Sequence, residues 1–457
     1  MNIKTVKLGF YPSFFVFNIK QIFIIIFILI NKVRRFQQIN LILYKTYQIN
    51  NLMMEESTMP EVNILATADI HGFIDNPKNS SALALPAIKQ QYPNALLIDN
   101  GDFFIGNPLT SFFSEQSTVS PLVNFANDTA YDVMIPGNHD FDHGLNYLQK
   151  QAAALKADYL CCNVFTNTDQ LVFKPFVIKE IAGVRVGIIG VLTSGMSMIS
   201  DYSLLKGLII KDALAELRKN VTQLRPQVDL LIVAYHGGIE RNLQTGSPTT
   251  YATGEDETYK LVTSIEEIDG FICGHQHWIN QGVVGSTGVI QCGYAGNCYG
   301  QLHFEISPQK DISVSTAIIE TKDLPLSSTT YYDNNQYQRW LEAKVDVTQL
   351  TNFLQQKFNR KNLGIFLDLQ GSTNQALIDS FTIPYGVRIY HLNSQEYQQF
   401  SQRQWALKVE DFAESTTDFR VLTNSYDIWD YRLEEQFVDN IFDEYLVYLG
   451  LTQEDLA

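Results

Sequence analysis

The sequence predicts an α/β (α+β) fold: a sandwich of mixed β-sheets flanked by helices, followed by a smaller C-terminal α+β domain. Three observations carry that expectation. Short β-branched runs alternate with helical stretches from residue 62 onward, the signature of an α/β domain. The stretches 176–191 and 283–319 read instead as strands joined by tight turns, which adds antiparallel pairing to a parallel sheet. A chain of 457 residues is also about three times the length of an ordinary domain, so one domain does not account for it.

The first 52 residues differ from the rest. They hold seven Lys or Arg, no Asp or Glu, no alanine, eleven isoleucines and seven phenylalanines. The formal charge is −16 overall, so removing this +7 segment leaves −23 on residues 53–457. The apolar run at residues 22–30 falls short of the roughly 20 residues that span a bilayer. Lys32, Arg34 and Arg35 follow it, where a secretory signal would place small residues. Residues 1–53 are thus an atypical basic and apolar extension with three readings: a weak anchor built on residues 14–30, an uncleaved signal, or translation from an early start. The last fits best, because Met53, Met54 and Met59 stand just before the first strand.

Strands are expected at 62–68, 95–99, 132–135, 229–234 and 269–273, each a short apolar run bounded by turn residues. Helices are expected at 81–91, 121–130, 145–155 and 211–224, and hairpin turns at Ala182-Gly183, 286–288 and 308–311. These elements define a first domain over 60–321. Lys-Asp-Leu-Pro-Leu-Ser-Ser-Thr-Thr then marks a linker at 322–332. A second domain at 333–457 is richer in Gln, Asn and Tyr.

With 45% hydrophobic, 12% aromatic and 18% charged residues, the chain buries a core and is not disordered. Its acidity excludes a protein that grips nucleic acid along the backbone, which needs clustered Lys and Arg. The five cysteines (Cys161, Cys162, Cys273, Cys292 and Cys298) are odd in number, include an adjacent pair and show no CxxC spacing. They are neither a disulfide framework nor a zinc site, but reduced thiols of a cytoplasmic enzyme. The sequence carries no signal for oligomeric state.

Each of the five strands ends in potential ligands. The endings are Asp69-Ile70-His71-Gly72, Asn100-Gly101-Asp102, Gly137-Asn138-His139-Asp140, Tyr235-His236-Gly237-Gly238 and Gly274-His275-Gln276-His277. Carboxyl ends of strands are where open α/β sheets place ligands. Strand alternation would point Asp69 and His71 to one side, and likewise His275 and His277. Singly, each ending is an ordinary cap or turn. Together they gather five of the eight histidines in the chain. Seven O and N donors exceed what one transition metal takes from protein; with one bridging carboxylate they form a two-metal site of the kind used in phosphoryl chemistry. Mixed imidazole and carboxylate donors suit Mn, Zn, Fe or Co.

The segments TADIHGFI, NGDFFIGNP, IPGNHDFDHG, YHGGIERN and GHQHW, spread over about residues 62–300, resemble the metallophosphoesterase superfamily. The branch they resemble is the bacterial-type 5'-nucleotidase/2',3'-cyclic-nucleotide phosphodiesterase family. The resemblance implies a metallophosphoesterase-type sandwich in the first domain and a diverged 5'-nucleotidase C-terminal domain after it. It implies one divalent ion on Asp69, His71 and His277, another on Asn138, His236 and His275, and Asp102 bridging them. It makes His139, oriented by Asp142, a dyad that stabilises the transition state and helps the leaving oxygen depart. His277 is Gln or Asn in some secreted 5'-nucleotidases, so this chain resembles the cyclic-nucleotide and cytosolic bacterial members more.

In that family the C-terminal domain stacks the nucleobase between aromatic rings, beside an Asn-Gly-Gly-x-Arg loop. The corresponding stretch here, 369–374, lacks the paired glycines and the Arg. Tyr426, Trp429 and Tyr431 are candidate stacking rings, with core aromatics as the plainer alternative. His143, one residue past Asp142, either supports the dyad or, as the plainer reading, lies on the surface, and His303 and His391 read as ordinary structure. Glu240 and Arg241 are either substrate contacts or a solvated pair.

The expected function is release of phosphate from nucleotides by in-line attack of metal-activated water. A 2',3'-cyclic-nucleotide phosphodiesterase/3'-nucleotidase or a nucleotide-sugar hydrolase would use the same centre. From another class, a non-catalytic binding module of this fold has only the degraded Gly-rich loop in its favour. The expected partner is a small phosphorylated substrate, with neither nucleic acid nor, unless residues 14–30 anchor the chain, a membrane.

Overall fold

A computed structural model describes residues 60–74, 82–116, 119–196, 205–250, 253–307, 309–358, 362–380, 387–410, 412, 416–425, 432–437 and 445, and, before Pro60, residues 20, 23, 24, 26–35, 38–40, 44 and 45. The chain divides into two compact units, Met1–Pro60 and Glu61–Ala457. In the first, residues 26–35 are helical and exposed, Phe27 and Val33 included. Among the described residues no helix is long and apolar enough to cross a membrane.

In the second unit, residues 61–320 supply strands β1 (Glu61–Thr67), β2 (Leu96–Asp99), β3 (Val133–Met134), β4 (Asp158–Tyr159), β5 (Val164–Thr166), β6 (Phe176–Ile181) and β7 (Val184–Leu192). The series continues with β8 (Leu208–Ile210), β9 (Leu230–His236), β10 (Gly270–Cys273), β11 (Ile279–Val284), β12 (Thr287–Cys292), β13 (Cys298–Ile306) and β14 (Ile312–Glu320). They form two six-stranded sheets, ordered β14-β13-β1-β2-β3-β4 and β11-β12-β10-β9-β7-β6, plus a small β5-β8 pair. β1 runs parallel to β2 and antiparallel to β13, and β9 runs parallel to both β7 and β10.

Ile64, Ala66 and Ile98 of the first sheet share one buried cluster with Ile188, Ile232 and Ile272 of the second, which is the core of a sandwich. Outer faces are covered by helices, so the central strands are apolar on both sides; all seven residues of β9 are buried. Helix Ala213–Leu224 lays Leu217, Val221 and Leu224 against β7 and β9, its start capped by Asp212, which accepts from the Ala215 N–H at 2.7 Å. Helix Pro121–Thr129 begins at the Ser120 cap with proline in its first turn and ends at Ala130 in a left-handed conformation.

The structure departs from the sequence reading in several places. Residues 81–91 are not one helix: a 3₁₀ turn at Ala82–Ala84 precedes helix Pro86–Gln91, because Pro86 has no N–H to continue the first. β7 is more than a hairpin strand; its far edge pairs in parallel with β9, which places it inside the second sheet. The β5-β8 pair has no counterpart in the sequence reading.

Beyond residue 321, helices Asn334–Leu341 and Val347–Lys357 precede a third sheet. Its strands are β15 (Leu363–Leu367), β16 (Val387–Asn393), β17 (Leu407–Val409), β18 (Asp418–Thr423) and β19 (Arg432–Phe437), in the order β17-β15-β18-β16-β19. An aromatic seam joins this part to the sandwich. Phe112 lies 5.4 Å from Tyr337 and 5.6 Å from Trp340, ring centre to ring centre.

Candidate metal centre

The two sheets meet where β1, β2, β3, β9 and β10 end, and the seven expected donors converge there. Asp69 and His71 do not get there by strand alternation. β1 stops at Thr67, and both residues then take left-handed backbone conformations, with φ of 55° and 48°. Asp102, His275 and His277 do the same, with φ of 54°, 73° and 58°. A left-handed non-glycine residue costs about 1–2 kcal/mol. Neighbouring main chain holds these in place: Asp69 N–H donates to Gly101 O at 2.9 Å and His71 N–H to Asp102 O at 2.8 Å. The glycines make the approach possible, since a Cβ on Gly137 would stand 2.1 Å from Asp102 Oδ1 and one on Gly106 2.2 Å from His71 Nδ1.

Two donor groups result. Asp69, His71 and His277 form one, and Asp102, His236 and His275 the other, with the ligand atoms of each within 4.8 Å of one another. Asn138 joins the second, its Oδ1 lying 3.1 Å from His236 Nε2 and 2.9 Å from His275 Nδ1. Asp102 stands between the groups, with Oδ2 at 3.2 Å from His236 Nε2 and 3.9 Å from His71 Nε2. The His275 N–H donates to both Asp69 carboxylate oxygens at 3.1 Å, which ties one group to the other.

The donor set fits cations. Asn100 O accepts from His236 Nδ1 and Ile105 O from His71 Nδ1, each at 2.7 Å; because a carbonyl only accepts, both imidazoles carry their proton on Nδ1. In the neutral rings Nε2 is then a lone pair. The His71 lone pair faces His277 Nε2 at 2.9 Å, while that of His236 faces the Asp102 and Asn138 oxygens. Two acceptors meeting at such a contact call for positive charge between them, either a proton or a cation. Burial pushes His71 down to about 3 and His277 down to about 4, holding both in the neutral, lone-pair-donating form. Burial likewise raises Asp69 to about 8, against the charge of His236. For His236 burial opposes the charged form, but the Asp102 carboxylate prevails and lifts it to about 9, so that without a cation a proton on Nε2 takes the place facing Asp102.

His139 borders both groups. Its N–H donates to Asp102 Oδ1 at 2.8 Å, its Nδ1 donates to Asp142 Oδ2 at 2.9 Å, and its ring centre lies 5.8 Å from that of His71. Burial disfavours the imidazolium, but Asp142, with Asp102 and Asp140, raises its pKa to about 10 and keeps it charged. The structure also separates Asp140 from Asp142. The Asp140 carboxylate is buried and accepts from the N–H groups of Asp102, Phe103, Phe104 and Gly137, so it braces the loops and does not face the imidazole.

Several neighbours escaped the sequence reading. Glu255 Oε1 lies 2.6 Å from His275 Nε2. Tyr294 stacks on His277, with ring centres 5.1 Å apart and planes 14° apart. Neither belongs to a ligand motif: Glu255 sits in a loop and Tyr294 in the turn between β12 and β13. His143 is not a surface residue; it packs half-buried against Tyr147, and burial lowers its pKa to about 4. His303 bonds Asn63 and His391 pairs with Asp418, both away from the centre. Glu240 is no solvated partner for Arg241: it accepts from the Tyr259 and Lys260 N–H groups at the start of a helix, while Arg241 donates to Gly246 O. Tyr426, Trp429 and Tyr431 lie outside the described residues.

A sequence profile for the calcineurin-like phosphoesterases matches residues 62–278, the span that carries all seven donors. The chain contains a calcineurin-like phosphoesterase domain. The domain is 29% identical over 256 residues to the trifunctional nucleotide phosphoesterase protein YfkN of Bacillus subtilis, covering 49% of this chain and 17% of that protein. It is 28% identical over 245 residues to a 2',3'-cyclic-nucleotide 2'-phosphodiesterase/3'-nucleotidase of Yersinia enterocolitica, covering 48% of this chain and 36% of that one. The chain therefore spans well under half the length of these curated relatives. The fold extends beyond the phosphoesterase domain. A Staphylococcus aureus structure classed as a 5'-nucleotidase, in complex with alpha-ketoglutarate, superposes with a TM-score of 0.63 at 21% identity, covering 87% of this chain and 98% of that one.

Proposed function

We propose that this protein is a dinuclear-metal phosphohydrolase that releases phosphate from nucleotides. The observation that carries the reading is the pair of donor groups joined at Asp102, with His139 beside them and hydrogen-bonded to Asp142. Asp69, His71 and His277 would hold one divalent ion and Asn138, His236 and His275 the other, with Asp102 placed between the two groups. Mn, Zn, Fe or Co suits such donors. A pair of ions supplies a lowered water pKa and charge neutralisation for an in-line displacement at phosphorus.

The chain's own groups contribute orientation and a proton. Asn100 and Ile105 carbonyls aim the Nε2 atoms of His236 and His71 inward. His139, held by Asp142, offsets negative charge growing on the phosphoryl oxygens and donates its Nε2 proton to the leaving oxygen. Residues 60–321 form the catalytic domain in this reading, and 333–457 bind the rest of the substrate. A cytoplasmic location belongs to it as well, since all five cysteines are free and buried. Peptide mapping of the natural protein tests the early-start reading of residues 1–53, which a peptide from 32–45 sinks.

A 2',3'-cyclic-nucleotide phosphodiesterase/3'-nucleotidase is the second reading, favoured by the Yersinia relative of that name and by a histidine, not Gln or Asn, at position 277. Rates on AMP, 3'-AMP, 2',3'-cyclic AMP and UDP-glucose, measured side by side with Mn, Zn or Co, separate the two. If the protein binds two metals yet turns over none of these nor an aryl phosphate, both readings fail and a binding module takes their place.

A further inference from the structure

We infer that Glu255 is a positioning residue for one half of the metal centre, fixing through His275 how tightly the second cation is held. The inference rests on His275 being a ligand, as proposed above. His275 directs Nδ1 toward Asn138 Oδ1 at 2.9 Å and turns Nε2 away from the donors, onto Glu255 Oε1 at 2.6 Å. A carboxylate that accepts the Nε2 proton leaves the lone pair on Nδ1, the atom that faces the centre. His236 needs no such partner, because a backbone carbonyl fixes it; His275 has Glu255 instead.

The loop that carries Glu255 is built to hold it there. Its carbonyl oxygen accepts from Thr193 Oγ1 at 2.6 Å and Tyr235 Oη at 3.2 Å, one hydroxyl from the end of β7 and one from β9. The next residue, Asp256, accepts from Gly238 N–H at 2.9 Å and from Gln276 Nε2 at 2.8 Å. Residues 255 and 256 thus clasp the loop after His236 and the loop between His275 and His277. Gly195 closes the other side, where a Cβ would stand 2.7 Å from the Glu255 Cα. None of these restraints uses the Glu255 side chain, so removing the carboxylate leaves the loop intact and withdraws only the contact to His275.

The test is Mn²⁺ binding to the metal-stripped full chain, followed by calorimetry, together with ¹⁵N NMR of the His275 imidazole before metal is added. Wild-type protein should bind two Mn²⁺ and show His275 protonated on Nε2. Glu255→Ala should weaken one of the two sites about 10–100-fold, leave the other unchanged, and mix the His275 tautomers. Glu255→Gln keeps an acceptor without the charge and should fall between; should the alanine variant fail to fold, the glutamine variant decides. Wild-type affinity at both sites with an unchanged His275 spectrum overturns the inference. His275→Ala separates it from the underlying reading: if that variant keeps both sites at full affinity, His275 is not a ligand and the reading itself fails.

Discussion

The two halves of the centre are built differently. Asp102, Asn138 and His236 are buried and the His275 side chain is only 13% exposed, and each imidazole is anchored through its second nitrogen, His236 by a carbonyl and His275 by a carboxylate. On the other side Asp69 and His71 are buried, but the His277 side chain is 42% exposed and leans on the face of Tyr294. A ligand fixed by hydrogen bonds starts oriented, whereas a ligand resting on a ring must lose freedom on binding. Under the proposed metal assignment, the comparison makes the Asp69–His71–His277 side the exchangeable one, and four measurements can break or sharpen it.

The largest effect belongs to the residue the two halves share. Asp102→Asn should lower kcat by about 10³-fold or more and cut bound metal at both sites, measured by turnover and elemental analysis. Full metal content in that variant would remove Asp102 from its bridging position. Next, His139→Ala should lower kcat about 10²–10³-fold with both metals retained, since its proton and charge act on the substrate. Unchanged turnover on every substrate would show the dyad assignment to be wrong. Third, chelator titration should empty the sites in two steps, with His277→Ala removing the earlier step alone; loss of both ions together contradicts the asymmetry. The smallest effect is expected for Tyr294→Ala. A ring stack is worth about 0.5–1.5 kcal/mol, so metal affinity on the exposed side should fall roughly 2- to 10-fold. No change there would mean that His277 stands without its neighbour.

Much of this centre was legible because its parts are local. Asp, His and Asn beside glycine at the ends of apolar runs can be read without tertiary structure, and so could most of the strands that carry them. The way the backbone delivers them was not legible. Strand alternation suggested that Asp69 and His71 share a face, whereas they project from left-handed conformations that hold only because Gly101 and Asp102 offer carbonyls across the next strand. Glu255 was invisible for a related reason: its partner is 20 residues away and its loop has no periodicity. Asp140 and Asp142 look alike in sequence, and only the fold gives one to backbone amides and the other to an imidazole. In the C-terminal part no strand was marked individually, and strands joined through long connections leave their order open until they pair.

The hydrogen bond from the His275 amide to Asp69 spans 206 positions of the chain. It exists only after both sheets have formed and their ends have come together, so the cation sites cannot assemble on a partly ordered chain. In the proposed reading, metal capture would therefore be a late event in refolding. Cations would act on this protein as a latch, slowing the opening of the finished sandwich and leaving the rate at which it first closes unchanged.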